Sequence, residues 1–141
     1  MKEKPADDLT EELMSRSNLD EYIKANQRYF SESAIAELLL ALYNRKQISK
    51  AALARMSGMS EVYLHQVFSG RRNPSRDRLL CLCIGLGATL EETQQLLKHA
   101  GYAPIYPKHK RDAIIGHGIA HQTDLAEIND KLFAENEKTL F

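Results

Sequence analysis

The sequence has no tryptophan, only two cysteines, four prolines and seven glycines among its 141 residues. So few turn-forming residues argue against a β architecture with many tight turns, and helix is the expected default. No apolar run approaches the roughly 20 residues that cross a bilayer, and residues 1–8 lack the apolar core of a signal peptide. We therefore expect a soluble, cytoplasmic, all-α protein that makes no membrane contact.

Residues that carry catalytic or metal chemistry are also scarce. Cys81 and Cys83 lie in the apolar stretch 79–86, and because residues two apart on a helix point in different directions, we expect buried, reduced thiols. His117 and His121 could share a helix face, but no third metal ligand lies beside them. The sequence contains no phosphate-binding loop, nucleophile elbow or acid pair. We therefore expect no catalytic residue, no metal, no cofactor and no enzymatic activity.

Charge is distributed unevenly along a chain whose formal net charge is zero. Residues 43–78 contain eight Lys or Arg against only Glu61 and Asp77, which gives +6. Residues 1–42 carry −4 and residues 79–141 carry −2. This distribution favours a negatively charged partner for the middle third of the chain.

Three short helices are predicted between residues 33 and 70. Apolar residues recur at three- and four-residue spacing in the first, Ser49 can cap the second, and Ser60 can cap the third. Gly58 is expected to turn the chain between the second and third helices, and Gly70 to end the third. The expected buried positions are Ile35, Leu38, Leu39 and Leu42, then Ala52, Leu53 and Met56, then Val62 or Tyr63, Leu64, Val67 and Phe68.

Two more helices follow a basic loop at residues 71–74. Ser75 caps a fourth helix over residues 76–86, which Gly87 closes, and its nearly uniform apolarity predicts a central position. Thr89 and Glu92 form a capping box, in which each side chain satisfies the other residue's backbone amide. That box opens a fifth helix, which stops at Gly101, and the two prolines of residues 102–107 predict a semi-rigid connector.

The chain also contains a faint internal repeat. A shift of 35 residues places Arg76, Asp77, Ile84, Leu90, Glu92 and Leu97 on Arg111, Asp112, Ile119, Leu125, Glu127 and Leu132. Asp124 falls on the cap Thr89, so the end of the chain is interpreted as a helix pair that resembles the fourth and fifth helices. The alternative is a chance match between amphipathic helices.

The small Ala52, the turn glycine and the capped third helix meet the geometry of a helix-turn-helix centred on residues 51–68. The segment at residues 48–75, ISKAALARMSGMSEVYLHQVFSGRRNPS, resembles the lambda-repressor-like regulators of the XRE type. The resemblance covers about residues 33–100. The phrases LEETQQLLKHAGY and KRDAII, which begin at Leu90 and Lys110, resemble a bacterial subgroup with an added C-terminal helical segment.

The resemblance implies a five-helix domain that binds double-stranded DNA, commonly as a homodimer on paired half-sites. The second helix would cross the DNA backbone and the third would lie in the major groove. Carried over by position, base edges would be met by Glu61, Val62, His65 and Gln66, and phosphates by Ser49, Lys50, Arg71, Arg72 and Asn73.

Glu61 departs from the family pattern, which more often has Arg, Gln or a small polar residue there. A carboxylate is repelled by phosphates, although it could accept a hydrogen bond from a cytosine amino group. Arg71, Arg72, Arg76 and Arg78 could likewise be solvated charges at a helix entrance. Two hypotheses remain: a sequence-specific transcriptional regulator, or a protein-interaction adaptor that keeps the fold but has lost strong DNA binding.

Three segments are predicted along the chain. Residues 1–30 form an N-terminal arm or a short docking helix, in which Leu19, Tyr22 and Ile23 share a face. Residues 31–101 form the helix-turn-helix domain. Residues 102–141 form the connector and the C-terminal helix pair, through which a protein partner could bind.

Overall fold

The computed structural model describes residues 5–15, 17–26 and 34–141, and the chain is helical without strands throughout these ranges. The predicted all-α fold class is thereby confirmed. The predicted beginning of the family resemblance, Ser33, lies outside the described residues. The helices are α1 (Ala6–Ser15), α2 (Leu19–Ala25), α3 (Ala34–Lys46), α4 (Lys50–Ser57), α5 (Glu61–Phe68), α6 (Arg76–Leu86), α7 (Leu90–His99), α8 (Lys110–Ala120) and α9 (Leu125–Ala134).

The chain divides into an N-terminal unit, Met1–Ser31, and a main unit, Glu32–Phe141. The N-terminal unit contains α1 and α2. The side chain of Asn18 caps α2 by accepting from the amides of Asp20 and Glu21. Helix α2 thus covers Leu19, Tyr22 and Ile23, while the predicted arm or docking segment and the predicted boundaries after residues 30 and 101 stay predictions.

Helices α4 and α5 form the predicted helix-turn-helix. The Ser49 hydroxyl oxygen accepts from the Ala52 amide at 3.0 Å, and the Ser60 hydroxyl oxygen accepts from the Tyr63 amide at 3.0 Å. Between the two helices, Gly58 has a φ of 68°, in the left-handed region that disfavours residues with a Cβ. The caps and the turn therefore lie where the sequence predicts them.

Two predicted core positions are wrong, because Met56 is 50% exposed and Leu38 is 38% exposed. Helix α4 instead turns Leu53 and Ser57 toward α6. A Cβ on Gly85 of α6 would lie 3.0 Å from the Ser57 Cβ and 3.1 Å from a Leu53 methyl, so the two helices are in close contact there. Because Gly85 and Ser57 are small, the face of α4 that carries Ser57 packs closely against α6 and is buried. Met56 lies on another face of α4 and stays exposed.

Helix α6 is the centre of the main unit, since every residue from Leu79 to Leu86 is buried. Its two cysteines are free, and burial raises the pKa of the Cys81 and Cys83 thiols to about 12. The thiols therefore stay protonated at neutral pH. This confirms that they are core side chains without a disulfide.

The predicted internal repeat is present as repeated structure. The side chain of Gln94 exchanges two hydrogen bonds with the backbone of Ile105, at 2.7 and 3.0 Å. Thirty-five residues later, the Asn129 side chain accepts from the Leu140 amide at 2.8 Å. The same helix pair and the same extended segment after it thus occur twice, in repeat A (residues 76–106) and repeat B (residues 111–141).

Two arginine–aspartate pairs join the repeats reciprocally. Arg76 binds both carboxylate oxygens of Asp112, at 3.2 and 2.9 Å. Arg111 binds both carboxylate oxygens of Asp77, each at 3.0 Å. Because each repeat gives one Arg and one Asp to the other, the contact has the reciprocal pattern of a two-fold symmetric interface. Arg76 is therefore held in a structural ion pair and is not a solvated charge at the helix entrance.

Candidate nucleic-acid interface

The four predicted base-contacting residues lie on the side of α5 that faces away from the core. Leu64 and Val67 are buried on the inner side. Val62 is 70% exposed, whereas Tyr63 is half-buried, which settles the sequence alternative between these two in favour of Tyr63 as the packed residue. The outer side carries Glu61, Val62, His65 and Gln66, of which Gln66 is half-buried and the others are exposed.

The basic loop is tied to the end of α5. The backbone amides of Arg71 and Arg72 both donate to the Gln66 carbonyl, at 2.9 and 3.2 Å. The Arg72 Nε also donates to the Gln66 side-chain oxygen at 2.9 Å. On the far side of the loop, the Tyr102 hydroxyl donates to the Pro74 carbonyl at 2.6 Å. The loop therefore has a defined position relative to the outer face of α5.

Two guanidinium groups lie over the ring of Tyr63. The Arg78 Cζ is 4.8 Å from the centre of the Tyr63 ring, and the Arg72 Cζ is 5.5 Å from it. Both distances suit attraction between a cation and an aromatic face. Burial raises the pKa of the Tyr63 phenol, and the nearby positive charges of Arg78 and Arg72 oppose that shift. Tyr63 is therefore a neutral phenol that holds two cations in place.

These side chains line a cleft of about 440 Å³ beside α5. Its lining consists of Ser60, Val62, Tyr63, Gln66, Arg72, Asn73, Ser75 and Arg78. Four of the nine predicted site residues are brought together there. The remaining five are exposed outside the lining, and they are Ser49, Lys50, Glu61, His65 and Arg71.

Sequence reasoning did not place two of the cleft's side chains, Tyr63 and Arg78, in the predicted site. Tyr63 was treated as an apolar position, because spacing alone does not distinguish a core residue from one whose ring edge reaches a surface cleft. Arg78 was counted only as part of a charge run. The signal that could have found both is the spacing from the caps Ser60 and Ser75, since each residue lies three positions after its cap and next to the loop.

The charged side chains of residues 43–78 separate into paired and unpaired groups. Arg45 pairs with Glu92, and Asp77 pairs with Arg111. None of the ion pairs among the described residues includes the exposed residues Arg71, Arg72, Arg78 or Glu61. The exposed charge next to α5 is thus three unpaired arginines opposed by one carboxylate.

Comparison with known families supports the helix-turn-helix interpretation of this region. A family model described as a helix-turn-helix domain matches residues 34–96, and no curated protein or solved structure matches the chain. The match runs from α3 into α7 and leaves out repeat B. The chain therefore carries a helix-turn-helix domain, and the specific subgroup with an added C-terminal segment stays a prediction.

The histidine pair noted in the sequence lies at the end of α8, with His117 in its last turn and His121 as the residue that follows it, and neither lines the cleft. The rings of His117 and His121 have their centroids 4.1 Å apart. Within the described part of the chain, no group of three or more His, Cys, Asp or Glu side chains is arranged to hold a metal ion. In the same ranges, no helix has the length and apolarity to cross a membrane.

Proposed function

We propose that this chain is a sequence-specific DNA-binding transcriptional regulator that places α5 in the major groove. The observation that carries the proposal is the cleft beside α5, where Arg72 and Arg78 are unpaired and Arg71 is exposed next to them. Arginines without carboxylate partners can neutralise phosphates and release counterions, which drives binding to DNA of any sequence. The helix-turn-helix match over residues 34–96 supports the same conclusion.

Sequence preference would come from the outer face of α5. Gln66 can form two hydrogen bonds with adenine, which are worth about 1–3 kcal/mol of discrimination. Its bond from Arg72 uses one lone pair of the side-chain oxygen and leaves the amide hydrogens free. The exposed Val62 offers methyl groups to a thymine methyl, while Glu61 can accept from a cytosine amino group.

Phosphate contacts would come from both sides of α5. Lys50 and Ser49 lie at the start of α4, and Arg71, Arg72 and Asn73 lie in the basic loop. The Ser49 oxygen accepts the cap hydrogen bond from Ala52, so its hydroxyl proton remains available for a phosphate oxygen. A homodimer would place two such surfaces on paired half-sites.

Selection from a pool of random duplexes tests the proposal. The wild-type chain should enrich a defined sequence motif, and Gln66→Ala should change the preference at an adenine-bearing position. Gln95→Ala is the matched control, since Gln95 is an exposed glutamine on α7, away from the cleft. The absence of any enriched motif for the wild-type chain would contradict this function, and the same motif for both variants would contradict base readout by Gln66.

A protein-interaction adaptor is the second candidate function. The observation that favours it is a groove of about 430 Å³ between α3 and α7, lined in part by Leu38, Leu42 and Leu96. An exposed apolar groove of this kind suits a helix or peptide of a partner protein. Because DNA binding strengthens at low salt, the absence of duplex affinity even at about 50 mM salt would favour the adaptor.

A further inference from the structure

The end of repeat B reaches back to the helix-turn-helix. We call residues 138–141 the strap. Arg111 fixes its beginning by donating from Nε to the Lys138 carbonyl at 2.8 Å. Leu140 fixes its middle, because its side chain is 3% exposed and its amide is bound to Asn129. The strap is therefore an ordered segment. The Arg111 guanidinium and the buried Leu140 side chain hold it in the main unit.

Phe141 lies against the turn between α4 and α5. A Cβ built on Gly58 would be 2.9 Å from the Phe141 Cε1, which is closer than real Cβ atoms approach another heavy atom. In this position the ring occupies the space that a side chain at Gly58 would take, so either the ring would shift or the turn would deform if Gly58 had a Cβ. Phe141 is itself 72% exposed, so its ring covers the turn rather than filling the core.

Repeat B also holds the chain after the basic loop. The pair between Arg111 and Asp77 fixes the first turn of α6, at 3.0 Å for both hydrogen bonds. Arg78 is the next residue of that turn, and its guanidinium lies over the Tyr63 ring of α5. One element, Arg111 with the strap, thus reaches both the turn before α5 and the helix start after it.

Helix α5 is short. It has eight residues, its buried side chains are Leu64 and Val67, and Tyr63 and Phe68 pack against the core as partly buried side chains. Base readout needs side chains held to within about 0.5 Å of their productive positions. Contacts at both ends of α5 would add to the rigidity that its core packing provides.

We propose that repeat B braces the DNA-reading helix, with Phe141 and Arg111 as positioning residues that do not touch DNA. The DNA half of this inference rests on the proposed function. The brace itself is a property of the free protein, so the two can be tested separately.

The experiment compares Phe141→Ala with Phe133→Ala, which removes another exposed phenylalanine, 78% exposed on α9. Hydrogen exchange is measured at the amides of residues 58–63, and affinity is measured by fluorescence anisotropy with a labelled random duplex and with the selected motif. Phe141→Ala should speed exchange at the turn by about 10-fold and weaken binding to the motif by about 5-fold or more. Phe133→Ala should change neither, and Phe141→Leu should restore most of both.

A second variant probes the contact directly. Gly58→Asn keeps a residue that tolerates left-handed φ but adds a Cβ facing Phe141. Its loss of stability should be smaller in the Phe141→Ala background than alone, since the obstacle has been removed. Strictly additive effects of the two substitutions would show that the ring does not press on the turn, and would overturn the brace.

The remaining outcomes are also decisive. Equal exchange at residues 58–63 in the two alanine variants overturns the brace, as does faster exchange spread evenly through α6, which would mark a general loss of stability. Faster exchange at the turn with unchanged affinity overturns the positioning role. If the wild-type chain binds no duplex, the proposed function fails, and the exchange data alone then support or overturn the brace.

Discussion

The arginines between residues 71 and 78 should divide into two classes when each is replaced by alanine. Arg72 and Arg78 have no ion-pair partner among the described residues and line the cleft beside α5. Arg76 has a side chain only 23% exposed and is bound to Asp112. The first two are expected to act on DNA binding and the third on folding.

The magnitudes follow from these environments. Each phosphate contact contributes about 0.9 to the slope of log affinity against log salt, so replacing both Arg72 and Arg78 should reduce the slope by about 1.8. When the salt rises from about 50 to 200 mM, wild type loses affinity by some factor. For each phosphate contact that a variant lacks, that factor should be roughly 3.5-fold smaller. Arg76→Ala should leave the slope unchanged, yet lower the free energy of unfolding by about 3 kcal/mol, because it strands the buried Asp112 carboxylate.

The assay is an anisotropy titration of a labelled random duplex at four salt concentrations, paired with urea unfolding of each variant. Lys98→Ala is the control, since Lys98 is exposed on α7 and away from the cleft. The reasoning would be refuted if Arg76→Ala reduced the slope as much as Arg72→Ala, or if the double variant kept the wild-type slope.

Two further predictions concern the contacts between the repeats. Burial opposes ionisation of Asp112, but hydrogen bonds from Arg76 and the Tyr106 amide outweigh it and lower the pKa. Its stabilising effect is therefore present above the unfolded pKa of about 3.9 and lost as pH falls through the folded value, so Asp112→Asn should be less stable than wild type at pH 7 and converge with it in acid. A constant difference from pH 7 down to about pH 2 in urea unfolding would contradict this. Leu140→Ala should lower the free energy of unfolding by about 2–5 kcal/mol, and a loss below about 0.5 kcal/mol would show that the strap is not docked.

Local chemistry explains why the helix boundaries could be predicted from the sequence. Four helix caps each accept a hydrogen bond from the amide three residues later, and they are Ser49, Ser60, Ser75 and Thr89. The cap residue and the helix start that it stabilises therefore lie within the same few residues. Which face of α4 is buried could not be predicted in this way. That outcome depends on Gly85 of α6, a residue far along the chain whose missing side chain lets α4 approach.

The candidate site was predicted in part for the same reason. Gln66, Val62 and the basic loop follow from position in a helix-turn-helix, and the structure places them around one cleft. The state of each charge was not predictable from a single segment. Arg76 and Arg78 are two residues apart and look equivalent in sequence, yet one reaches a carboxylate 36 positions away and the other stays unpaired.

The repeat nevertheless contained the information needed to separate them. Arg76 and Asp77 align with Arg111 and Asp112. If the two Arg-Asp pairs of residues contact each other, like charges stay apart only when the Arg of each copy binds the Asp of the other. That exchange removes one positive and one negative charge from residues 43–78, so the net charge of +6 is unchanged. The charge is concentrated on fewer exposed side chains, and Glu61 becomes the one acidic residue of the segment that is left unpaired among the described residues. Whether α5 binds DNA strongly therefore depends on the cations of the proposed interface that are unpaired in the described part of the chain, Lys50, Arg71, Arg72 and Arg78, acting against the single carboxylate of Glu61, rather than on the charge of the whole chain.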